Sequence, residues 1–142
     1  MKNFEFPQYY YALGWSHGKE KFLDQKDFSK GSFYANPQYD DIHEGKPVAD
    51  GDTFAPNVWP KNEVPELEKA FKDLGSLIVE VGKKLAKHID AYIAKEAPSY
   101  EKGKLHRIIN ESKCCKARLL HYFPSKCKIY FDNFCRQRCQ RR

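Results

Sequence analysis

The groups best suited to chemistry in this 142-residue chain are five histidines, five cysteines and one His-x-Asp triplet, His88-Ile89-Asp90. A His-x-Asp pair joined by a further imidazole can hold a non-haem iron and leave positions open for substrate and oxygen. The setting of this triplet argues against that use. It falls inside a predicted helix, where residues i and i+2 point about 200° apart. Two such side chains do not easily meet one metal, so His88 and Asp90 read as ordinary helix residues.

The cysteines cluster at one end: Cys114, Cys115, Cys127, Cys135 and Cys139 all lie in the last 30 residues. Structural zinc sites usually take close cysteine pairs, two to four residues apart, twice over. Only Cys135 and Cys139 approach that spacing, and His121 would have to supply a fourth ligand. No metal site is therefore expected. The opening MKNFEFPQYYY carries Glu5 and no apolar core after a basic cluster, so no secretory signal is read. A cytoplasmic location follows as the expectation, with the thiols reduced.

The elements that must position these groups are unequal in clarity. From 63 to 95, apolar residues recur every three or four positions through Val64, Leu67, Phe71, Leu74, Ile78, Val81, Leu85, Ile89 and Tyr92. This predicts a long helix with one buried stripe. Asn62 or Glu63 could cap it, Pro65 suits its first turn, and Pro98 helps end it. Gly75 and Gly82 imply a close backbone approach or a bend. Residues 103–112 predict a second, short helix.

In residues 116–124, KARLLHYFP, Ala117, Leu119, His121 and Phe123 alternate with Lys116, Arg118, Leu120 and Tyr122, which predicts a strand. Residues 1–60 are broken by glycines and prolines and read mostly as loops with one or two short helices or strands. Within them, KGSFYANPQYD (30–40) reads as an extended segment ending in a turn at Asn36-Pro37.

Composition bounds the function classes. Hydrophobic residues are 41% and charged residues 31%, as in a globular chain rather than a disordered one. No apolar run reaches 18 residues, so no membrane span is expected. The net charge of +6 is lopsided: residues 1–112 carry 16 Lys and Arg against 18 Asp and Glu, and residues 113–142 carry nine against Asp132 alone. The basic character belongs to a tail and not to a face of the fold, so no specific nucleic-acid partner is expected. A non-enzymatic binding module, its Cys/Arg-rich tail meeting nucleic acid or acidic partners, is the alternative this asymmetry keeps open.

Four stretches in order carry a resemblance: YYALGWSHGKEKF (10–22), KGSFYANPQYD (30–40), NVWPKNEVPELEKAFKDLGSLIVEVGKKLAKHID (57–90) and CKARLLHYFP (115–124). Together they resemble the isopenicillin N synthase-like branch of the Fe(II)- and 2-oxoglutarate-dependent oxygenases. The resemblance implies an α+β chain: an N-terminal loop and helix region with one long helix, then the first strand or strands of an incomplete double-stranded β-helix, or jelly-roll. It implies Fe(II) and 2-oxoglutarate as cofactors of the complete family, acting on a small-molecule substrate. It places Trp15, His17, Tyr34 and Asn36 in the substrate pocket. His121 and Tyr122 match an Asn-Tyr pair near the cosubstrate, with His in place of Asn.

The chain departs from the family beyond Pro124. No strand-borne His-x-Asp follows, and none of the six arginines precedes a serine by two positions, so the cosubstrate anchor Arg-x-Ser is absent. Residues 1–124 are expected to form an oxygenase-like part, truncated at both ends and binding no cofactor of its own. Residues 125–142 are expected to be an unstructured tail. An apolar helix stripe left uncovered would favour self-association.

Overall fold

The computed structural model describes residues 4–22, 24–49, 52 and 54–124. The fold is α+β. A short 3-10 turn (Pro7–Tyr9) leads into strands β1 (Gly14–His17), β2 (Lys21–Phe22), β3 (Gln25–Lys26) and β4 (Lys30–Ala35). A long loop then feeds helix α1 (Leu67–Glu96), helix α2 (Lys104–Glu111) and strand β5 (Ala117–Tyr122). Among the described residues no helix is long and apolar enough to cross a membrane.

The main sheet has three antiparallel strands in the order β1-β4-β5; β2 and β3 form a separate hairpin. Its central strand comes from the segment read as extended, and its last strand lies within the 116–124 alternation. β1 was hidden, because four residues between glycines and aromatics show no countable period. The register runs Trp15↔Phe33 and His17↔Gly31 on one side of β4, and Gly31↔His121 and Phe33↔Leu119 on the other.

The described residues do not build the start of a jelly-roll. They make one small antiparallel sheet with a helix against one face, and no second sheet layer forms among them to close a barrel. What replaces that layer is an aromatic core. Phe33 from the sheet meets Trp59 (ring centroids 5.7 Å apart) and Phe71 of α1 (6.0 Å), and Trp59 and Phe71 meet edge to face at 5.6 Å.

Helix α1 begins at Leu67, later than its sequence suggests. Residues 60–66 are spent in turns, with Val64 N–H bonded to Pro60 O and Leu67 N–H to Val64 O. Neither Asn62 nor Glu63 is the N-cap; that position is Glu66, which makes no side-chain cap. The larger correction concerns burial. The fully buried positions of α1 are Gly75, Ala86 and Asp90. The expected stripe is turned outward from Leu74 on: Leu74, Ile78, Val81, Leu85, Ile89 and Tyr92 are all exposed, as is Leu77 beside them. The sheet is too narrow to cover 30 residues of helix, and the small face packs because it allows the closer approach.

Gly75 is that approach. A Cβ placed there would lie 2.3 Å from Cβ of Pro37, whereas one on Gly82 would meet nothing within 4 Å. Gly75→Ala should therefore destabilise the protein by about 1–3 kcal/mol. Gly82→Ala should stabilise it by about 0.5–1 kcal/mol through helix propensity. Thermal unfolding of the two variants beside wild type checks this; equal shifts in Tm would refute the packing at Pro37.

Candidate functional site

Strand alternation decides which of the motif residues can act together. Side chains directly opposite across antiparallel strands share a face. Trp15, His17, Gly31, Phe33, Leu119 and His121 therefore share the face on which α1 packs. Tyr34 and Tyr122 lie on the other. Asn36 follows the last residue of β4 and belongs to neither row.

On the helix-side face, His17, Gly31 and His121 form one row across three strands. Gly31 lacks a side chain, and the Trp15 indole occupies the room: a Cβ there would lie 2.2 Å from the ring. Phe123 sits between the imidazoles, its ring centroid 4.8 Å from His17 and 4.7 Å from His121. Phe28 meets His17 edge to face at 5.6 Å, and its carbonyl lies 3.1 Å from His17 Nε2. The result is an aromatic shelf with two imidazoles. Trp15, His17 and His121 are united by it; Phe123 joins them on the row its alternation with His121 implied, and Phe28 is a member that no sequence signal marked.

The opposite face is polar. Arg118 donates from Nε and Nη2 to Ser32 Oγ at 3.0 and 2.8 Å, pairs with Glu20, and stacks over Tyr34 at 5.2 Å. Lys30 also pairs with Glu20. The hydrogen bond from Lys30, with the charges of Lys30 and Arg118, holds the Glu20 carboxyl below the usual carboxylate range against partial burial. Tyr34 thus packs under a cation, and Tyr122 is largely exposed. His121 and Tyr122, adjacent in sequence, point to opposite sides of the sheet.

Asn36 has its polar groups committed to the fold. Its Oδ1 accepts from Gln38 N–H and Tyr39 N–H (3.0 and 3.1 Å), and its Nδ2 donates to Lys113 O at 2.7 Å. Asn57 completes the arrangement, accepting from Asn36 N–H and donating to Asn36 O, both at 2.8 Å. Asp40 then accepts from Asn57 Nδ2, Trp59 Nε1 and Lys72 Nζ. The cavity beside Asn36, lined also by Leu13, Phe54 and Lys116, measures about 10 Å³. That is room for at most one water. Asn36 therefore holds a junction, and no substrate-sized space lies against it.

The His-x-Asp triplet has its own explanation. Asp90 is buried and accepts from Tyr100 Oη (2.5 Å), Leu105 N–H (3.0 Å) and His106 N–H (2.9 Å). It caps α2 from another element, because the N-cap position is Gly103, which has no side chain to do so. Burial raises its carboxyl, but the bonds from Tyr100, His106 and Leu105 prevail and hold it below the ordinary range. His88 is exposed on the turn before it. With the carboxylate so occupied, the pair does not fit a metal, and no group of three or more His, Cys, Asp or Glu among the described residues is placed to hold one. The described residues therefore do not fit Fe(II) in a facial triad.

Of the thiols, Cys114 is exposed, while Cys115 is half-buried with Sγ 3.3 Å from Gln38 Oε1; burial raises its pKa and disfavours the thiolate. Cys127, Cys135 and Cys139 lie outside the described residues, as does the tail at 125–142. Compared with family models, with curated proteins and with solved structures, the chain matches none.

A depressed Asp90 carboxyl contributes stability that is present above its unfolded pKa of about 3.9 and is lost as pH falls through the lower folded value. Asp90→Ala should lower Tm at neutral pH, and its gap from wild type should narrow below about pH 4. Thermal scans from pH 3 to 7 check this. A gap that stays constant with pH would refute the capping role.

Proposed function

We propose that residues 9–124 are the substrate-side portion of a non-haem Fe(II)/2-oxoglutarate oxygenase-type domain, and that this chain does not itself turn over 2-oxoglutarate. One observation carries the reading. Three stretches of the resemblance, 10–22, 30–40 and 115–124, are up to a hundred residues apart, yet they assemble into one sheet with its tryptophan and two histidines on one face.

In this reading the shelf of Trp15, His17, His121 and Phe123 is a wall for a small organic substrate. Indole and phenyl rings offer apolar contact, and the imidazoles offer hydrogen bonds to polar edges of the same molecule. Tyr34, stacked under Arg118, and Asn36, bonded on all sides, support the wall rather than touch the ligand. His121 stands where the resemblance places a cosubstrate contact; Tyr122, on the far face, does not share that role. The sequence holds neither a strand-borne His-x-Asp nor Arg-x-Ser. Oxidation therefore requires metal and cosubstrate ligands that these residues do not supply.

Two measurements test the reading. Anaerobic calorimetry with Mn(II) and 2-oxoglutarate should give no one-to-one site; a micromolar site abolished by His88→Ala would overturn it. The gene should encode His-x-Asp and Arg-x-Ser beyond codon 124 in another frame or exon. A gene holding neither would sink the family assignment.

A further inference from the structure

The outer edge of β5 and the outward stripe of α1 form one continuous unpartnered surface among the described residues. A groove of about 230 Å³ joins them, lined by Leu74 and Ile78 of α1 and Leu119 of β5. The edge carries free backbone groups whose phase can be read. Phe123 N–H donates to Ser29 O at 2.8 Å, in step with the β4–β5 register, so the odd-numbered residues of β5 bond to β4. The N–H and C=O of Arg118, Leu120 and Tyr122 therefore point away from the sheet.

We propose that this surface joins two copies of the chain about a two-fold axis through Leu120, with β5 pairing antiparallel to β5 and the two sheets fusing into one of six strands. The pairing sets Leu120 opposite its own copy, Leu119 opposite His121, and Arg118 opposite Tyr122. A two-fold interface must be self-complementary, and this one is. The outward backbone groups fall into register, and no like charges meet. The strand's single cation lies across from an aromatic ring.

The area also suits a second copy. Seven α1 side chains and Leu119, Leu120, Tyr122 and Phe123 are exposed by 37% or more. An aliphatic side chain of this size carries roughly 60–120 Å² of apolar surface. Half of that on each gives on the order of 300–700 Å², the size of the largest apolar patch a typical monomer exposes, which is often an interaction site. With the strand backbone added, it nears the ~800 Å² each partner gives to a standard interface. Bare sheet edges also pair readily with other chains. The proposal does not depend on the oxygenase reading and stands or falls separately.

Light scattering of the full chain behind a sizing column tests it. Wild type should run at twice its 16.6 kDa mass. Leu120→Lys sets two ammonium groups face to face on the axis and should give monomer at the same concentration, with helix content unchanged by circular dichroism. Leu120→Glu should do likewise. Mixing the two variants should restore a dimer, because opposite charges then meet on the axis. Leu74→Glu with Ile78→Glu, away from the strand, should also dissociate it. A monomeric wild type, polydisperse aggregates in place of a dimer, or a dimer that survives all three variants would overturn the proposal. So would a mixture that stays monomeric.

Discussion

Everything in this structure depends on β4 being paired on both sides. Among the described residues it is the one strand with two neighbours, and it brings residues from the first 20 and the last 30 positions of the chain into contact. Its exit is fixed as firmly as its pairing. Asn36 bonds at once to its own turn, to Asn57 across the long loop and to Lys113 just before β5. The Asn57 amide, on the Asn36 backbone, sets where the loop returns, and the Asn36 amide sets where β5 enters. Helix α1 is seated on that junction by Pro37 against Gly75 and by Lys72, which bridges Asp40 and Glu68. These ion pairs are partly exposed and modest one by one; their value is that they share partners with the asparagine network.

Much of this was legible from residue types, and the failures have physical causes. The period of α1 and the alternation of β5 are local signals, and both elements form within a few residues of the expected bounds. The direction in which α1 faces is not local. The sequence offers two stripes, a large apolar one and a small one through Gly75 and Ala86, and tertiary packing chose the smaller. β1 was missed because its partners in β4 lie 14 to 20 residues away and its own four residues carry no pattern. Asp90 as a cap for α2 was beyond sequence reasoning for the same reason, since its N–H donors are 15 and 16 residues on. One cue existed: Gly103, at the start of the second predicted helix, cannot cap it, so some other residue must.

The candidate site was half legible. Trp15, His17 and His121 do meet, because the register of β4 places them in one row. The predicted alternation of 116–124 already set Tyr122 on the row opposite His121, but Tyr34 and Asn36 could not be separated from Trp15 and His17 without the strand pairing, since a residue's face is set by parity within the sheet. Phe28 and Phe123 enter the shelf only through the bonds Phe123 N–H to Ser29 O and His17 to Phe28 O. The charge on the opposite face, Arg118 with Glu20 and Lys30, buttresses the same three strands from behind. The proposed substrate wall and its support are thus two faces of one sheet, and neither survives a change of pairing.

A shift of one residue between β4 and β5 would exchange those faces entirely. The register therefore decides both the wall and its support. Ser32 with Leu120 and Tyr34 with Arg118 are two of the non-hydrogen-bonded pairs, in which antiparallel backbones come closest, at ~4.5 Å between Cα atoms. Proton NMR of the labelled chain should give strong Hα–Hα cross-peaks for these two pairs. Cross-peaks from Ser32 to Leu119 or His121 instead, or none between these segments, would contradict the sheet and the site built on it.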